Sequence, residues 1–212
     1  MICAEALIAR SIRASIVAMR IIAGTAGGIP LLSPSDDTRP TTDRVRSAVF
    51  SILTPRVPQA RVLDLFAGSG ALALEAVSRG ARSALCIESG REACSLIRRN
   101  ATKAKLGDRV AVRQADVFAW LKSAAGRETY DLVFADPPYR KKLVDSDFAA
   151  ALLDSAALPE VFAEGGLFVL ESHAGPAMLA IPPQWRLLDQ RTYGASRISF
   201  LEVRPPLTGR SE

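Results

Sequence analysis

From residue 61 onward, short apolar runs alternate with helical patterns, and this alternation restricts the fold more than any other feature of the chain. Five runs have the length and composition of buried strands: RVLDL, SALCIE, RVAVRQ, YDLVFA and GGLFVLES. Helical patterns separate them four times with short connections, which is typical of βαβ units in a parallel sheet. Two further runs, WRLLDQRTY and ASRISFLEV, meet at Gly194 and predict an antiparallel hairpin. The sequence therefore predicts an α/β fold with a mostly parallel, seven-stranded sheet and a C-terminal antiparallel hairpin.

The residues before this region predict a smaller N-terminal part. With 212 residues, the chain is long enough for one domain, or for one domain with an appendage. After Met19, RIIAGTAGGIPLL predicts a small β-hairpin, and TTDRVRSAVFSIL predicts a helix that Thr41 or Thr42 can cap. We therefore divide the chain into an extension or misassigned start at 1–18, a hairpin and helix appendage at 19–58, the main domain at 59–205 and a tail at 206–212.

Composition sets broad limits on the function. The net charge of +5 is compatible with a polyanionic partner but does not establish one. The chain has no run of 18 apolar residues, so we expect no transmembrane helix and no membrane partner, with the cytoplasm as the default compartment and a monomer as the default state. The three cysteines, Cys3, Cys86 and Cys94, and the single His173 fit neither a zinc pattern nor a disulfide framework. We expect no metal site.

Acidic residues and a glycine turn follow the predicted strands at the points where each strand ends. The first strand leads into DLFAGSG at residues 64–70, and the next two end at Glu88 and at Ala115-Asp116. The fourth leads into DPPY at residues 136–139. Because the carboxyl ends of parallel strands meet at one edge of a sheet, these four segments predict a single pocket. Ser89 and Glu92 also predict a capping box for the helix after the second strand.

The first three segments leave the nature of the ligand open. DLFAGSG is neither a P-loop nor G-x-G-x-x-G; its glycines allow close approach of a ligand, or form a plain turn from strand to helix. Glu88 can accept both hydroxyls of an adenosine ribose, or be a solvated acid. Asp116 can accept the amino group of adenine, or cap a helix. A dinucleotide cofactor is still compatible with these features.

The DPPY segment favours a particular chemistry. An exocyclic amine on a nucleic-acid base is a poor nucleophile, because its lone pair is delocalised into the ring. The carboxylate of Asp136 and the carbonyl of Pro137, held rigid by Pro138, can accept the hydrogens of such an amine. Tyr139 offers a face on which an extruded base can stack. The alternative is a strand followed by a proline-rich turn.

The chain resembles the RsmD family of class I, S-adenosylmethionine-dependent methyltransferases. The resemblance rests on MRIIAG, RPTTDRVRSAVFSIL, DLFAGSGALALEAVSRGA, IESGREACSLIRRN and VFADPPY, and it covers roughly Met19 to Val203. It implies a Rossmann-like class I methyltransferase fold and methylation of the N2 amine of a guanine in small-subunit (16S) ribosomal RNA. Residues 1–18 and the Ser89-Gly90 pair depart from the family pattern, and Tyr139 stands where members often have Phe.

The resemblance also implies a role for each site residue. The methionine part of S-adenosylmethionine would be held by Asp64, Phe66, Ala67, Gly68, Ser69 and Gly70. Glu88 would hold the ribose, and Ala115 with Asp116 the adenine. The target amine and base would be held by Asp136, Pro137, Pro138 and Tyr139. The partner would be small-subunit ribosomal RNA or the assembling 30S subunit.

Basic side chains near the predicted pocket are candidates for RNA contacts. They are Arg20, Arg39, Arg44, Arg46, Arg140, Lys141 and Lys142. Each could instead be a solvated surface residue, as we interpret Arg98 and Arg99. Three other functions are compatible with parts of the pattern: a DNA amino-methyltransferase, a nicotinamide-dependent oxidoreductase, and an RNA-binding module without catalysis. The missing third glycine and DPPY disfavour the oxidoreductase.

Overall fold

The computed structural model describes residues 19–33, 43–138, 147–175 and 179–205. A single seven-stranded sheet in the order β3-β2-β1-β4-β5-β7-β6 runs through the molecule. Its strands are β1 (Arg61–Leu65), β2 (Ser83–Glu88), β3 (Val110–Gln114), β4 (Tyr130–Ala135), β5 (Phe162–His173), β6 (Trp185–Tyr193) and β7 (Ser196–Val203). The predicted seven-stranded α/β fold is confirmed.

Strands β1 to β5 are mutually parallel, whereas β7 pairs antiparallel with both β5 and β6. The chain leaves β1 toward β2 on one side and returns to β4 on the other, so the strand order reverses between β1 and β4. Asp64 lies on β1 beside this reversal, in register with Cys86 of β2 and Phe134 of β4. Open α/β sheets bind ligands at the carboxyl ends of the strands beside such a reversal.

Helices cover both faces of the sheet. The helices are α1 (Asp43–Leu53), α2 (Ala71–Ser78), α3 (Arg91–Lys103), α4 (Val117–Ala124) and α5 (Phe148–Leu153), with a 3-10 turn at Pro159–Val161. The buried side chains of α1, α2 and α3 share one core cluster with the N-terminal residues Met19 and Ile21. Those of α4 and α5 pack in a second cluster on the other face.

The predicted N-terminal hairpin forms as an isolated antiparallel bridge between Arg20 and Pro30. Its turn packs against the C-terminal end of α2: the N–H of Thr25 donates to the carbonyl of Ser78, and the N–H of Ala26 donates to the Ser78 hydroxyl. A Cβ atom at Gly24 would lie 2.0 Å from the Ser78 carbonyl oxygen, so only glycine fits there. The hairpin thereby satisfies backbone groups that a helix end leaves without partners.

A buried ionic cluster fixes the same segment to the main domain. Glu75 of α2 is fully buried, and its carboxylate accepts the N–H groups of Ile22 (2.6 Å) and Ala23 (3.1 Å). Arg79 Nε donates to it at 2.6 Å, and Arg46 Nε of α1 lies 4.0 Å away. One carboxylate therefore joins the hairpin, α1 and α2.

The structure corrects one local prediction and leaves another outside its range. The capping box at Ser89 and Glu92 is wrong: α3 is capped by Gly90 without a side-chain hydrogen bond, because the Gly90 N–H donates to Glu88 instead. The predicted caps Thr41 and Thr42 lie outside the described residues. Within the described ranges, no helix has the length and apolarity needed to cross a membrane.

Candidate active site

The glycine turn links β1 to α2 through three residues in left-handed backbone conformation. The φ angles are 60° at Phe66, 54° at Gly68 and 76° at Gly70. Gly70 is needed for a second reason, because a Cβ atom there would lie 2.9 Å from Cγ2 of Ile97 in α3. The backbone around Gly68 is open, since a Cβ atom there would meet no atom closer than 3.9 Å. The turn is therefore packed tightly on α3 at Gly70 and remains accessible at Gly68.

Asp64 is a buried carboxylate in the middle of this edge. It is 2% exposed, and its Oδ2 accepts the N–H of Ala73 at 3.1 Å. Burial raises its pKa well above the ordinary range, the Ala73 hydrogen bond opposes this, and the carboxylates of Asp136 and Glu88 raise the pKa further. These three predicted site residues therefore lie close enough to interact electrostatically.

Glu88, at the end of β2, forms hydrogen bonds to the glycine turn and to the residue before α3. Its Oε2 accepts the N–H of Gly68 at 2.9 Å, and its Oε1 accepts the N–H of Gly90 at 2.7 Å. The Ser89 hydroxyl also donates to Oε1 at 3.5 Å, whereas the second lone pair of Oε2 can accept a further donor such as a ribose hydroxyl. The Glu88 side chain is thereby oriented by the glycine turn that it adjoins.

Asp116, after β3, caps a helix. Its Oδ1 accepts the N–H of Ala119 at 2.9 Å at the start of α4. This is the structural role that the sequence left open, and it uses only one of the two oxygens among the described residues. The side chain is exposed, and the preceding Ala115 is half-buried. An adenine contact through Oδ2 stays a prediction.

The DPPY segment begins where β4 ends. Asp136 is half-buried, Pro137 is buried and Pro138 is exposed. The Asp136 carboxylate is one of the charges that raise the pKa of Asp64, so the two predicted functional segments face each other across β1 and β4. Tyr139 lies outside the described residues.

Two features at this edge were not predicted from the sequence: the packing of Phe118 and Phe148 against the predicted Phe66, and the role of Asn100. The rings of Phe66, Phe118 and Phe148 form a half-buried cluster with centroid distances of 5.6, 6.1 and 6.3 Å. Phe118 and Phe148 are the second residue of α4 and the first of α5, so the start of a helix after a strand end was their only signal in the sequence. The cluster is an apolar wall beside the acidic residues.

Asn100 is the second feature that the sequence did not reveal. It is fully buried in α3, and its Nδ2 donates to the carbonyls of Ser69 (3.0 Å) and Leu32 (2.9 Å). Its Oδ1 accepts the N–H of Leu32 at 2.8 Å. One amide thus holds both the glycine turn and the N-terminal segment.

The predicted RNA-binding residues separate into three groups. Arg44 is exposed, and Arg20 is exposed but paired with Asp43 at 3.3 Å. The prediction for Arg46 is wrong, because the side chain is 1% exposed and is occupied by the Arg20 carbonyl, Asp43 and Glu75. The others, Arg39, Arg140, Lys141 and Lys142, lie outside the described residues.

The acidic, backbone and aromatic groups at this edge fit a cationic ligand with an adenosine group. A positive charge placed among the interacting carboxylates of Asp64, Glu88 and Asp136 would stabilise them. An open glycine backbone, ribose acceptors on Glu88 and an aromatic wall adjoin them. No cluster of three or more His, Cys, Asp or Glu side chains within the described residues is arranged to hold a metal ion.

Comparison with known proteins agrees with this architecture. The family model described as conserved hypothetical protein 95 matches residues 19–202. The ribosomal RNA small subunit methyltransferase D of Escherichia coli K12 is 36% identical over 178 residues, which cover 83% of this chain and 85% of the relative. The structure of YhhF from Escherichia coli matches with a TM-score of 0.73 at 30% identity, covering 88% of this chain and 98% of that one. The structure of SMU.776, solved in complex with SAH, matches in fold with a TM-score of 0.61 at 20% identity, covering 74% of this chain and 49% of that one.

The strand order, with its antiparallel β7 and the acidic ends of β1, β2 and β4, defines a class I methyltransferase fold. Within that class, the chain belongs to the RsmD family, as the family model and the curated relative show. The resemblance noted in the sequence is thereby confirmed.

Proposed function

We propose that this protein transfers a methyl group from S-adenosylmethionine to the exocyclic N2 amine of a guanine in 16S ribosomal RNA. Membership of the RsmD family supports the ribosomal RNA substrate. The observation that carries the chemistry is the placement of Asp136 beside Asp64 and Glu88 at the reversal of strand order. This arrangement puts an acceptor for an amine next to a site suited to a cationic adenosine ligand.

Each part of the site has a distinct task in this reaction. When bound, S-adenosylmethionine supplies an electrophilic methyl group on a positively charged sulfur. Glu88 accepts the ribose hydroxyls, and the open turn at Gly68 lets the backbone approach the ligand. Asp64 keeps the turn in place through the Ala73 N–H and adds negative charge near the cation. Most of the rate enhancement then comes from positioning and electrostatics.

Asp136 acts on the other reactant. Its carboxylate and the Pro137 carbonyl accept the two amine hydrogens and orient the nitrogen lone pair toward the methyl group. Asp136 does not need to be a strong base, because the amine becomes acidic once it carries the new methyl group. The proton then leaves to Asp136 or to water. Tyr139 completes the site in this proposal by stacking on the extruded base.

The test is methyl transfer from tritiated S-adenosylmethionine. The purified protein is incubated with small subunits from cells that lack the gene, with naked ribosomal RNA and with duplex DNA, and the label is mapped by nucleoside mass analysis. Label in N2-methylguanosine of 16S RNA is expected. Label only in DNA would overturn the substrate and favour a DNA amino-methyltransferase, whereas cofactor binding without any transfer would favour an RNA-binding module.

The same assay addresses the finer parts of the proposal. Transfer to the small subunit but not to naked RNA would identify an assembled 30S particle as the partner. We propose that the enzyme acts as a monomer in the cytoplasm, since its substrate is a large RNA assembly. Light scattering during gel filtration measures the mass of the free protein, and a mass near 22.7 kDa is expected.

A further inference from the structure

A strongly basic surface covers the exposed side of α3 and the turn that follows it. Residues 91–109 contain six basic and two acidic side chains, a net charge of +4, whereas the whole chain has a net charge of +5. We call this surface the α3 basic face. Its basic members are Arg91, Arg98, Arg99, Lys103, Lys105 and Arg109, and all are exposed except Arg109, which is half-buried.

The charge of this face is not neutralised by neighbouring acids. Among the described residues, none of its six basic side chains forms an ion pair, whereas seven arginines elsewhere do. Arg98 donates to the carbonyl of Val112 at 3.2 Å, and Lys103 donates to the carbonyl of Pro30 at 2.7 Å. These acceptors are neutral, so both side chains keep their full positive charge available to an anion.

The location of this face complements that of the active site. The edge that holds Asp64, Glu88 and Asp136 is acidic and repels phosphate groups. The α3 basic face starts at Arg91, directly after the Gly90 N–H that donates to Glu88. From there it follows α3, whose 13 residues span about 20 Å. Only Arg91 lies at that edge; Arg98 and Arg99 lie about 10–12 Å farther along the helix, and Arg109 precedes the amino end of β3 at the opposite edge of the sheet. A nucleic acid at the acidic edge therefore meets the uncompensated positive charge where it extends along α3.

The N-terminal segment borders the same face. Pro30 and Leu32 contact the second half of α3 through Lys103 and Asn100. The exposed hydroxyl of Ser95 lies between the basic side chains on the helix and can donate to a phosphate oxygen, whereas the Thr102 hydroxyl donates to the Arg98 carbonyl at 3.0 Å. A surface that combines cations outside ion pairs with a hydroxyl donor is typical of phosphate-backbone recognition.

We propose that the α3 basic face binds phosphates of the RNA substrate where the RNA extends from the target nucleotide along α3, up to about 20 Å away. This inference rests on the proposed function, since it specifies how the same RNA is held. Cation contacts with phosphates release condensed counterions, so binding through this face weakens as salt rises. The face positions the RNA without reading its sequence, and the edge around Asp136 selects the reacting amine.

The test is a charge reversal that leaves the cofactor site intact. Arg99→Glu combined with Lys105→Glu changes two exposed side chains for which the described structure has no hydrogen bond or ion pair. The matched control is Lys122→Glu combined with Arg127→Glu, which makes the same change in net charge on the opposite face of the sheet. Both residues are exposed, in α4 and the loop after it, and neither side chain has an ion pair or hydrogen bond within the described ranges. Kd for naked small-subunit RNA and for intact small subunits is measured against salt, together with Kd for S-adenosylmethionine.

The face variant should bind naked RNA at least tenfold more weakly near 0.1 M salt. Its slope of log Kd against log salt should fall by roughly 1.4 to 1.8, because each lost phosphate contact accounts for about 0.7 to 0.9. Its affinity for S-adenosylmethionine should equal that of the wild type, and the control variant should bind RNA within about twofold of the wild type.

Other outcomes overturn the inference. Equal weakening in both variants would indicate a general effect of net charge, and weakening only on intact subunits would indicate an acidic protein partner. If the wild type transfers no methyl group to RNA but the face variant alone loses RNA binding, the proposed function fails and the α3 basic face stands. If methyl transfer occurs and both variants bind RNA like the wild type, the proposed function stands and the α3 basic face fails.

Discussion

Asp64 shows how a single residue can lower stability while it serves binding. In the unfolded chain its pKa is near the ordinary value of about 3.9. In the folded protein, burial and the carboxylates of Asp136 and Glu88 raise the pKa well above that value. The folded state therefore holds the proton more tightly, and the free energy of unfolding falls as pH rises from about 4 through the raised pKa.

Asp64→Asn should remove this loss of stability, because the amide oxygen can still accept the Ala73 N–H without carrying a charge. We expect a higher melting temperature than wild type at pH 8, by about 2–4 °C for each 1 kcal/mol gained. The difference should shrink toward pH 4, and calorimetry at both pH values measures it. S-adenosylmethionine should bind the variant at least tenfold more weakly. A stabilisation equal at both pH values would contradict the assigned charge effect.

Asp136 is expected to act on the reaction rather than on cofactor binding. Asp136→Ala should lower kcat by about 10²-fold or more, because a well-placed acceptor of this kind contributes on that order. Affinity for S-adenosylmethionine should be partly retained, as measured by calorimetric titration. Asp136→Asn keeps one acceptor oxygen, so its kcat should lie between those of the wild type and Asp136→Ala. A kcat for Asp136→Ala above about a tenth of the wild-type value would refute the role.

Helix α3 shows how one element connects distant parts of the site. Its buried Asn100 holds the Ser69 carbonyl of the glycine turn, and its Ile97 packs on Gly70. The same amide bonds both backbone groups of Leu32. The helix therefore connects the N-terminal segment to the glycine turn at the predicted cofactor site.

Asn100→Ala should loosen the glycine turn and leave the buried Ser69 carbonyl and the half-buried backbone groups of Leu32 without this partner. We expect a loss of at least about 2 kcal/mol in the free energy of unfolding, since each unsatisfied buried group costs roughly 1–3 kcal/mol. KM for S-adenosylmethionine should rise several-fold while kcat at saturating cofactor stays near wild type. Thr102→Ala on the exposed side of α3 is the control and should change neither constant. A loss of stability with unchanged KM would show a structural role only.

At the scale of the molecule, the hairpin and helix before residue 58 are joined to the main domain by burial. Met19, Ile21 and Phe50 share a core cluster with the sheet, and the cation of Arg79 lies 5.1 Å from the Phe50 ring centroid. The Glu75 carboxylate adds a buried ionic link among α1, α2 and the hairpin. We therefore expect the described residues to unfold in one cooperative transition.

Glu75→Ala should test this coupling, because it leaves the buried Arg46 cation without one of its partners. The expected loss is about 3–5 kcal/mol in the free energy of unfolding, still in a single transition. Arg56→Ala breaks the exposed pair with Glu202, which also links distant parts of the chain, and should cost less than about 1 kcal/mol. Chemical denaturation followed by circular dichroism and tryptophan fluorescence measures both. A separate early transition in Glu75→Ala would indicate an independently folding N-terminal part.

Much of the site could be predicted from the sequence because its residues are tied to local patterns. Asp64, Glu88, Asp116 and Asp136 each follow an apolar run, and parallel strands bring such ends to one edge. The sequence left the capping role of Asp116 open. It wrongly predicted Ser89 as a cap, because the hydrogen bond from the Gly90 N–H to Glu88 depends on a turn that periodicity does not describe.

The sequence by itself determined the strands, their parallel arrangement and the acidic edge, since periods of 2 and 3.6 residues are local properties of the chain. Only the tertiary structure distinguished Arg46 from Arg44, two arginines that look alike in sequence, of which one is buried and the other exposed. It also brought Asn100 to the glycine turn and left the cations of the α3 basic face without ion pairs among the described residues. Burial and charge pairing depend on residues far apart in the chain, and no local pattern encodes which of them meet.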